Sequence, residues 1–443
     1  MPRQTRRVVI SGIGPITPFG LGIEPLWNGL AEGRSMLAPA PTFDSTGFPC
    51  PFVGAITREL FDVKSVVPKS YRKATKVMAR DIELAVGAAH AAMASAGIVT
   101  KSHEPADGRV TIPPDRFGCH IGAGLIAAEE NELTAALATA AGPDGRFSLS
   151  IWGSQGMQNL TPLWMLKYLP NMLACHVTII HDCQGPSNTI TCAEVSGILS
   201  MGESMRVIER GDADACISGG AESKVNLMGL LRQHFAGRMP KAAPGDDPAA
   251  LVRPFAPDAR GCPPGEGGGL LILESEECVS KRGGAALAAL EGFGARQSIC
   301  TDDAGIVPDA DGAADAIRAA LEDARADLDS IDAIVPFGTG VPELDATERR
   351  ALHAVFGARA KSIPIVTITP SIGNCGAGAA AVGACVAVEC LRRQMLPARL
   401  NGAGIGDLDA NAAPARSAEL NRMLVAFPSF GGQNGAIVLG RTP

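Results

Sequence analysis

Two thiols of the chain stand beside polar side chains that could take part in acyl chemistry. Cys192 lies two residues before Glu194, where a predicted strand turns into a predicted helix. Cys375 directly follows Asn374. A thiolate can carry an acyl group as a thioester, whereas a carboxylate offers a poorer and differently reactive oxygen. The function of the chain therefore depends on whether a thiol or a carboxylate acts as the nucleophile.

The composition excludes several classes of function. The chain has 443 residues, enough for one large domain or two, with 39 basic and 46 acidic side chains and a formal net charge of −7. This charge argues against nucleic acid or an anionic membrane as the main partner. The 12 cysteines form no CxxC pair and no regular Cys/His grid. We therefore expect no metal site, no disulfide framework and no cofactor, and reduced thiols in a cytoplasmic protein.

One stretch, 372–391, is long enough to span a membrane but is dominated by Gly and Ala. Asn374 and Glu389 interrupt it, so we interpret it as a glycine turn followed by a buried helix, and we expect no membrane span.

Strand and helix patterns alternate along the chain. The predicted strands are 7–13, 116–124, 176–182, 189–192, 212–220, 269–274, 333–337, 363–369, 423–427 and 435–439. The predicted helices are 25–33, 81–97, 196–210, 313–328, 347–356 and, after a turn, the run to 393. This alternation argues for α/β layers with buried sheets. The similar rhythm of the two parts suggests a duplicated unit, which we divide into an N-terminal half, 1–255, and a C-terminal half, 256–443.

Short motifs occur in a fixed order along nearly the whole chain. They are 7–20, 43–49, 169–172, 185–197, 210–215, 219–222, 253–255, 265–269 and 430–434. Glycine-rich triplets recur by chance, but their shared order is informative. In that order the chain resembles the β-ketoacyl synthases, the condensing enzymes of fatty acid and polyketide synthesis. The resemblance implies an α/β thiolase-like fold, with two related halves in a five-layer arrangement, and a dimer.

The resemblance also implies which positions would carry the chemistry. The family uses a Cys nucleophile and commonly two His, which stabilise the enolate formed when malonyl loses carbon dioxide. Aligned without gaps from Gly185 to Gly202, the nucleophile position holds Glu194. The first His position holds Phe337, which has no donor, and the second holds Asn374. The family's Lys falls near Thr369. We therefore assign no catalytic residue and treat the three replaced positions as the candidate site.

Three replacements together resemble the chain length factors, the non-condensing partners of polyketide ketosynthases. Those proteins commonly carry Gln at the Cys position, and Glu194 departs from that pattern. The predicted function is a non-condensing subunit that acts with a partner ketosynthase and an acyl carrier protein in fatty acid or polyketide biosynthesis. The chain would form a homodimer, or a heterodimer with an active ketosynthase.

Each candidate also has a structural interpretation. Glu194 could cap the following helix by accepting backbone N–H groups, or it could block or mimic an acyl group. Phe337 could fill the volume of the missing His. Cys192 is expected to be an inert thiol inside the strand, whereas Cys375 could border the old cavity. Pro428 would stiffen the loop that often holds a gating Phe in the family. The pocket candidates are Cys192, Cys375, Phe430 and Pro428.

A basic cluster stands out in this acidic chain. Its members, on a predicted helix, are Lys69, Arg72, Lys73, Lys76 and Arg80. Charge runs are usually solvated faces, but the family's condensing enzymes present basic residues here to acidic acyl carrier proteins. We predict that Lys69, Arg72, Lys73 and Lys76 dock a carrier protein.

Two other functions stay open. The chain could be an atypical acyltransferase or hydrolase that uses Glu194 and Asn374 with a nearby Cys, and covalent loading of a Cys would favour that function. It could also be a homodimeric module that binds acyl groups or carrier proteins, and isolation without a Cys-bearing homologue would support that alternative.

Overall fold

The structure, a computed structural model, describes residues 6–243, 245–300, 309–403 and 406–442. Its strands are β1 Val8–Thr17, β2 Gly20–Leu21, β3 Leu37–Pro39, β4 Phe52–Gly54, β5 Phe117–Gly122, β6 Ser187–Ile190, β7 Ala215–Ser223, β8 Glu266–Ser275, β9 Ala288–Gln297, β10 Ala333–Pro336, β11 Met395–Leu396, β12 Arg416–Ser417, β13 Arg422–Pro428 and β14 Gln433–Gly440. Its α-helices are α1 Ile23–Ala31, α2 Arg80–Ala96, α3 Glu130–Thr139, α4 Leu149–Ser154, α5 Trp164–Tyr168, α6 Met172–His181, α7 Ser196–Glu209, α8 Leu227–Phe235, α9 Glu276–Lys281, α10 Ala310–Asp323, α11 Pro342–Phe356, α12 Thr369–Ile372 and α13 Ala379–Arg393.

Strands from both parts of the chain form two sheets that join edge to edge. The order is β10-β13-β14-β9-β1-β8-β7-β5-β6, with β2 paired to β1. The junction is short, because β1 pairs with β9 only through Val9 and Ile10. The outer pairs β10–β13, β5–β7 and β5–β6 are parallel, and the inner pairs are antiparallel. The predicted division at residue 255 stays a prediction; β8, which follows it, pairs with β1 and β7.

Helices cover both sheets and fill the space between them. On the outer side of the β1–β8–β7–β5 sheet, α2 contacts β1, β7 and β8, and α6 contacts β5. Between the sheets, α7 contacts β5, β7 and β14, while α13 contacts β8 and β13. On the far side, α10 contacts β9 and β14 and packs on α11. This arrangement gives the five layers, helix–sheet–helix–sheet–helix, that the resemblance implied.

The central layer explains the Gly- and Ala-rich sequence of α13. This helix lies between two sheets, so nearly all of its side chains from Ala380 to Leu391 are buried. Small side chains let the helices approach closely: a Cβ on Gly197 of α7 would lie 3.0 Å from the Cβ of Ala381. Glu389, 1% exposed, is paired with Arg392 at 2.7 Å and with Arg393. The interpretation of this stretch as a turn and a buried helix is confirmed. No helix among the described residues is long and apolar enough to cross a membrane.

Two predicted strands are wrong. The run 176–182 belongs to α6, where Leu173, Val177 and Ile180 are buried at helical spacing. The β-branched side chains of this run suit a strand, but tertiary packing overrides that preference. The run 363–369 forms only isolated bridges, through Pro364 and Ile365, before α12 begins. Strand β9 was not predicted, because glycines interrupt its apolar pattern.

Candidate functional site

Glu194 lies in a tight turn between β6 and α7. The turn is a 3-10 helix, Ala193–Val195, and Ala193 has a φ of +50°, which is uncommon for a residue with a side chain. The Ser196 hydroxyl fixes the turn, because it accepts the Cys192 N–H at 2.8 Å and donates to the Ala193 carbonyl at 2.6 Å. The turn therefore presents the Glu194 side chain at the start of a helix in the central layer.

Asn374 approaches Glu194 from the other half of the molecule. Its Nδ2 donates to Glu194 Oε1 at 3.3 Å, and its Oδ1 accepts the Gly376 N–H at 2.9 Å. Glu194 is 1% exposed, and its Oε2 atom is buried with no hydrogen-bond partner among the described residues. Helix α7 has no side-chain N-cap bond, so the predicted capping interaction of Glu194 is not present. The structure thus brings Glu194 and Asn374 together, as the sequence placed them.

Phe337 fills its position with an aromatic stack. The ring is 1% exposed, lies 5.1 Å from the Phe427 ring at an interplanar angle of 25°, and meets Phe430 edge-on at 6.4 Å. Such packing supports the prediction that Phe337 occupies the volume of a missing His. An aromatic ring in this stack offers no N–H group to a thioester oxygen.

Buried carboxylates hold the Phe337 loop from behind. Glu348 accepts the N–H groups of Phe337 and Gly338 at 2.7 and 3.0 Å, and Asp345 accepts those of Thr339 and Gly340. Burial, and then the charge of Asp345, raises the pKa of Glu348 to about 8. These groups position the loop.

An ion pair that the sequence patterns did not predict lies beside the site. Lys224 Nζ lies 2.9 Å from Glu222 Oε1, and Glu222 Oε2 accepts the Ala377 N–H at 2.6 Å. Burial opposes the charge of Lys224, but the charges of Glu222 and Glu194 outweigh it and raise its pKa. The ion pair could have been found from the sequence, because Lys224 lies two positions after Glu222, the last residue of the 219–222 motif.

The two neighbouring thiols are poorly suited to nucleophilic chemistry. Cys192 lies just beyond β6, not inside the strand, and is half-buried. Cys375 is 1% exposed. Burial raises the pKa of both thiols, most strongly for Cys375, where the charges of Glu266 and Glu222 add to it. A raised pKa leaves less thiolate at neutral pH and lowers reactivity.

A narrow cavity of about 10 Å³, the space of about one water molecule, remains in front of the site. It is lined by Lys224, Gln233, Arg238, Cys262, Pro264, Thr339, Val341, Asn374 and Phe430. Of the predicted pocket residues, only Phe430 lines it. Pro428 instead ends β13 and borders a separate cavity with Glu348 and Asn434. Among the described residues, no group of three or more His, Cys, Asp or Glu side chains could hold a metal ion.

Family models match most of the chain. The model for the Beta-ketoacyl synthase, N-terminal domain, matches residues 5–278, and that for the Beta-ketoacyl synthase, C-terminal domain, matches 287–403. The chain belongs to the β-ketoacyl synthase family. Its curated relatives include 3-oxoacyl-[acyl-carrier-protein] synthase 2 of Vibrio cholerae serotype O1, 28% identical over 98% of this chain and 99% of that protein. They also include the granaticin polyketide putative beta-ketoacyl synthase 1 of Streptomyces violaceoruber, 26% identical over 99% of both chains.

Solved structures of this family share the fold. The ishigamide ketosynthase/chain length factor is 26% identical, with a TM-score of 0.81 over 99% of this chain and 100% of that one. A beta-ketoacyl synthase from Burkholderia phymatum has a TM-score of 0.81 at 24% identity, over 99% of this chain and 100% of that one. The predicted thiolase-like fold of the ketosynthases is therefore confirmed.

The basic cluster lies on the surface of this ketosynthase fold, in the 3-10 helix Lys69–Val77. Its four predicted docking cations are exposed and form no ion pair among the described residues: Lys69, Arg72, Lys73 and Lys76. Arg80 differs, because it starts α2 and pairs with Glu83 at 2.9 Å and Glu266 at 3.0 Å. Arg80 is therefore separate from the four exposed cations, which are the ones predicted to dock a carrier protein.

Proposed function

We propose that this chain is a non-condensing ketosynthase homologue that acts with an active ketosynthase and an acyl carrier protein in fatty acid or polyketide biosynthesis. The observation that carries the proposal is the contact between Glu194 and Asn374. It fills the family's nucleophile position with a carboxylate held by an amide. A carboxylate there cannot hold the growing chain as a thioester, which condensation requires.

The rest of the site supports the same function. Phe337 is packed in an aromatic stack, so it cannot donate to a developing enolate. The nearby thiols have raised pKa values. These features argue against the alternative, an acyltransferase or hydrolase that uses Glu194 and Asn374 with Cys192 or Cys375.

A partner subunit has an available surface. Strand β6 is at the edge of the sheet order, and its first residues, Ser187 and Asn188, are exposed. An open strand edge offers unpaired backbone groups to another chain. Exposed apolar side chains also occur in the segment between β5 and α6: Leu125, Phe147, Leu149, Met157, Leu163 and Met165. We infer a dimer through this region, with an active ketosynthase as the partner, in line with the ketosynthase/chain length factor to which the chain is similar.

The deciding experiment tests the chain alone. The purified protein is incubated with malonyl and acyl carrier proteins, and released carbon dioxide and elongated carrier are measured by mass spectrometry. We expect no product and no acyl group on any Cys. Product formed by the protein alone would disprove the proposal, and acyl loading of Cys192 or Cys375 would favour the alternative.

A matched variant tests why the site is silent. Glu194→Cys restores a thiol but leaves Phe337 and Asn374, so we expect acyl loading at position 194 without elongation. The triple variant Glu194→Cys/Phe337→His/Asn374→His supplies the whole set that the resemblance implies. Elongation by Glu194→Cys alone would show that the two His positions are not limiting.

Carrier docking has its own test. Arg72→Glu/Lys73→Glu reverses two exposed charges, and we expect it to abolish carrier-protein binding at low salt, because docking of an acidic carrier is electrostatic. Arg318→Glu/Lys361→Glu makes the same change of charge at exposed positions elsewhere and should leave binding unchanged. Equal affinity for both double variants would rule the cluster out.

A further inference from the structure

A groove of about 690 Å³ lies on the surface between the 3-10 helix Lys69–Val77 and the C-terminal end of α6. Its wall is mainly apolar and includes Pro68, Tyr71, Pro105, Val110, Pro114 and Ile179. A space of this size lies within the range of natural binding sites. The groove can therefore take one or two apolar side chains of a partner.

The apolar wall is rigid before any partner binds. The Tyr71 hydroxyl is hydrogen-bonded to His176 Nδ1 at 2.9 Å, and the two rings meet edge-on with their centroids 5.9 Å apart. Three prolines restrict the backbone around the groove. Ile179 is 52% exposed on α6, so its side chain is available for contact. A rigid wall loses little conformational entropy on binding, and a fixed tyrosine ring is typical of the residues that dominate binding energy.

Exposed cations of the basic cluster lie beside the groove. In a 3-10 helix, residues three apart lie on the same side. Ser70 lines the groove, so Lys73 and Lys76 follow it on that side of the helix Lys69–Val77. Lys101 lines the groove itself. The apolar wall is thus bordered by positive charge in an otherwise acidic chain.

Two carboxylates also line the groove, but each is engaged within the protein. Glu104 Oε1 accepts the Ser70 hydroxyl at 3.3 Å, and Asp182 Oδ1 accepts the Gln184 side-chain amide at 3.0 Å. The exposed cations in and beside the groove outnumber these two carboxylates. The combination of an apolar wall and surrounding positive charge therefore favours a partner with an apolar side chain on an acidic surface.

We propose that this groove binds an apolar side chain of the acyl carrier protein, and that the cations beside it pair with carboxylates around that side chain. The inference rests on the proposed function, which names the carrier protein as a partner, and it adds an apolar contact to the electrostatic one. Charge pairs at the rim mainly raise the association rate, whereas an apolar side chain buried against Tyr71 and Ile179 mainly slows dissociation.

The test measures the affinity of the full chain for the acyl carrier protein of the same organism, without an acyl group, by calorimetry at low and at high salt. Ile179→Ala removes the exposed part of the apolar wall, and we expect it to weaken binding by about tenfold at both salt concentrations, because salt does not screen an apolar contact. Leu328→Ala is the matched control, since Leu328 is 44% exposed in the C-terminal half, and it should leave binding unchanged.

A pair of variants at Tyr71 separates the ring from its hydroxyl. Tyr71→Ala removes the ring and should weaken binding at least as much as Ile179→Ala does. Tyr71→Phe keeps the ring, loses only the bond to His176, and should bind nearly as tightly as the native chain. Circular dichroism checks each fold. If Tyr71→Ala does not fold, the comparison of Ile179→Ala with Leu328→Ala decides the question, because both of those residues are exposed.

Two results would overturn the inference alone. In the first, Ile179→Ala binds the carrier protein as tightly as Leu328→Ala does. In the second, Ile179→Ala weakens self-association of the chain and leaves carrier binding intact, so that a second copy of the chain occupies the groove. A native chain that binds no carrier protein would overturn the proposed partner as well, and elongation by the native chain would overturn the non-condensing function. The failures are therefore distinguishable.

Discussion

Two short 3-10 turns, Ala193–Val195 and Gly376–Gly378, lead into the two helices of the central layer, α7 and α13. The first turn is held locally, by the Ser196 hydroxyl, and its functional side chain has an unsatisfied oxygen. The second is held from a distance, by Glu222, and it is closely packed. The scaffold around the site is thus held by several contacts, whereas the Glu194 side chain has Asn374 as its hydrogen-bond partner and one oxygen without a partner among the described residues.

The largest effect is expected at the buried group that holds the second turn. Glu222→Ala leaves the half-buried Lys224 without its partner and the Ala377 N–H without an acceptor. Breaking a buried ion pair in this way costs about 3–5 kcal/mol. The measurement is the free energy of unfolding in urea. Glu222→Gln keeps an acceptor for the N–H and should lose less, while a loss below about 1 kcal/mol for Glu222→Ala would show that this turn is not held by Glu222.

A glycine substitution tests the packing of the same turn. Gly376 has a φ of +53°, and a Cβ there would overlap Glu222 Oε2. Gly376→Ala therefore adds a clash to the backbone strain and should cost about 2 kcal/mol or more. Gly108 is the control for backbone strain without a clash, because its φ is +67° and a Cβ there would meet no atom within 4 Å. Gly108→Ala should cost about 1 kcal/mol, and equal losses would mean that packing against Glu222 is unimportant.

The stability of the protein should depend on pH through Asp81, a buried carboxyl group near Glu222. Burial, and then the charge of Glu222, raises the pKa of Asp81 from 3.8 to about 8. An acid whose pKa is raised on folding binds its proton more tightly in the folded state. Its contribution to stability is therefore present at low pH and is lost as the pH rises from about 4 to about 8.

Asp81→Asn removes this titration and should flatten the fall in unfolding free energy between pH 5 and pH 8 by up to about 1.4 kcal/mol per pH unit. Its amide oxygen can still accept the Ser223 N–H that Asp81 accepts at 3.2 Å. Asp107→Asn, at an exposed position, is the control and should leave the pH profile unchanged. A profile that is steeper in Asp81→Asn would contradict the assignment.

How far the sequence could predict the molecule also differs between these regions. The layers and the meeting of Glu194 with Asn374 were predictable, because ordered motifs along the chain imply the fold and the fold brings those positions together. The positions of Gln233 and Arg238 were not predictable. Gln233 lies on α8 and Arg238 lies just after it, outside any motif, and only tertiary packing brings them to the cavity. The wrong strand prediction at 176–182 has a similar cause. The residues of this run have a local preference for a strand, but packing of α6 against the sheet favours a helix.

The smallest effect is expected at Glu194 itself, where the first turn should tolerate change. Glu194→Gln keeps a carbonyl oxygen for the Asn374 amide and removes a carboxylate whose second oxygen has no partner among the described residues. The two changes offset each other, so we expect a shift in the free energy of unfolding below about 1 kcal/mol. Ser196→Ala is the matched variant, because its hydroxyl bridges the Cys192 N–H and the Ala193 carbonyl, and its loss should cost about 1–2 kcal/mol. If Glu194→Gln were the more damaging of the two, the charge at position 194 would be part of the scaffold, and the contrast between the turns would fail.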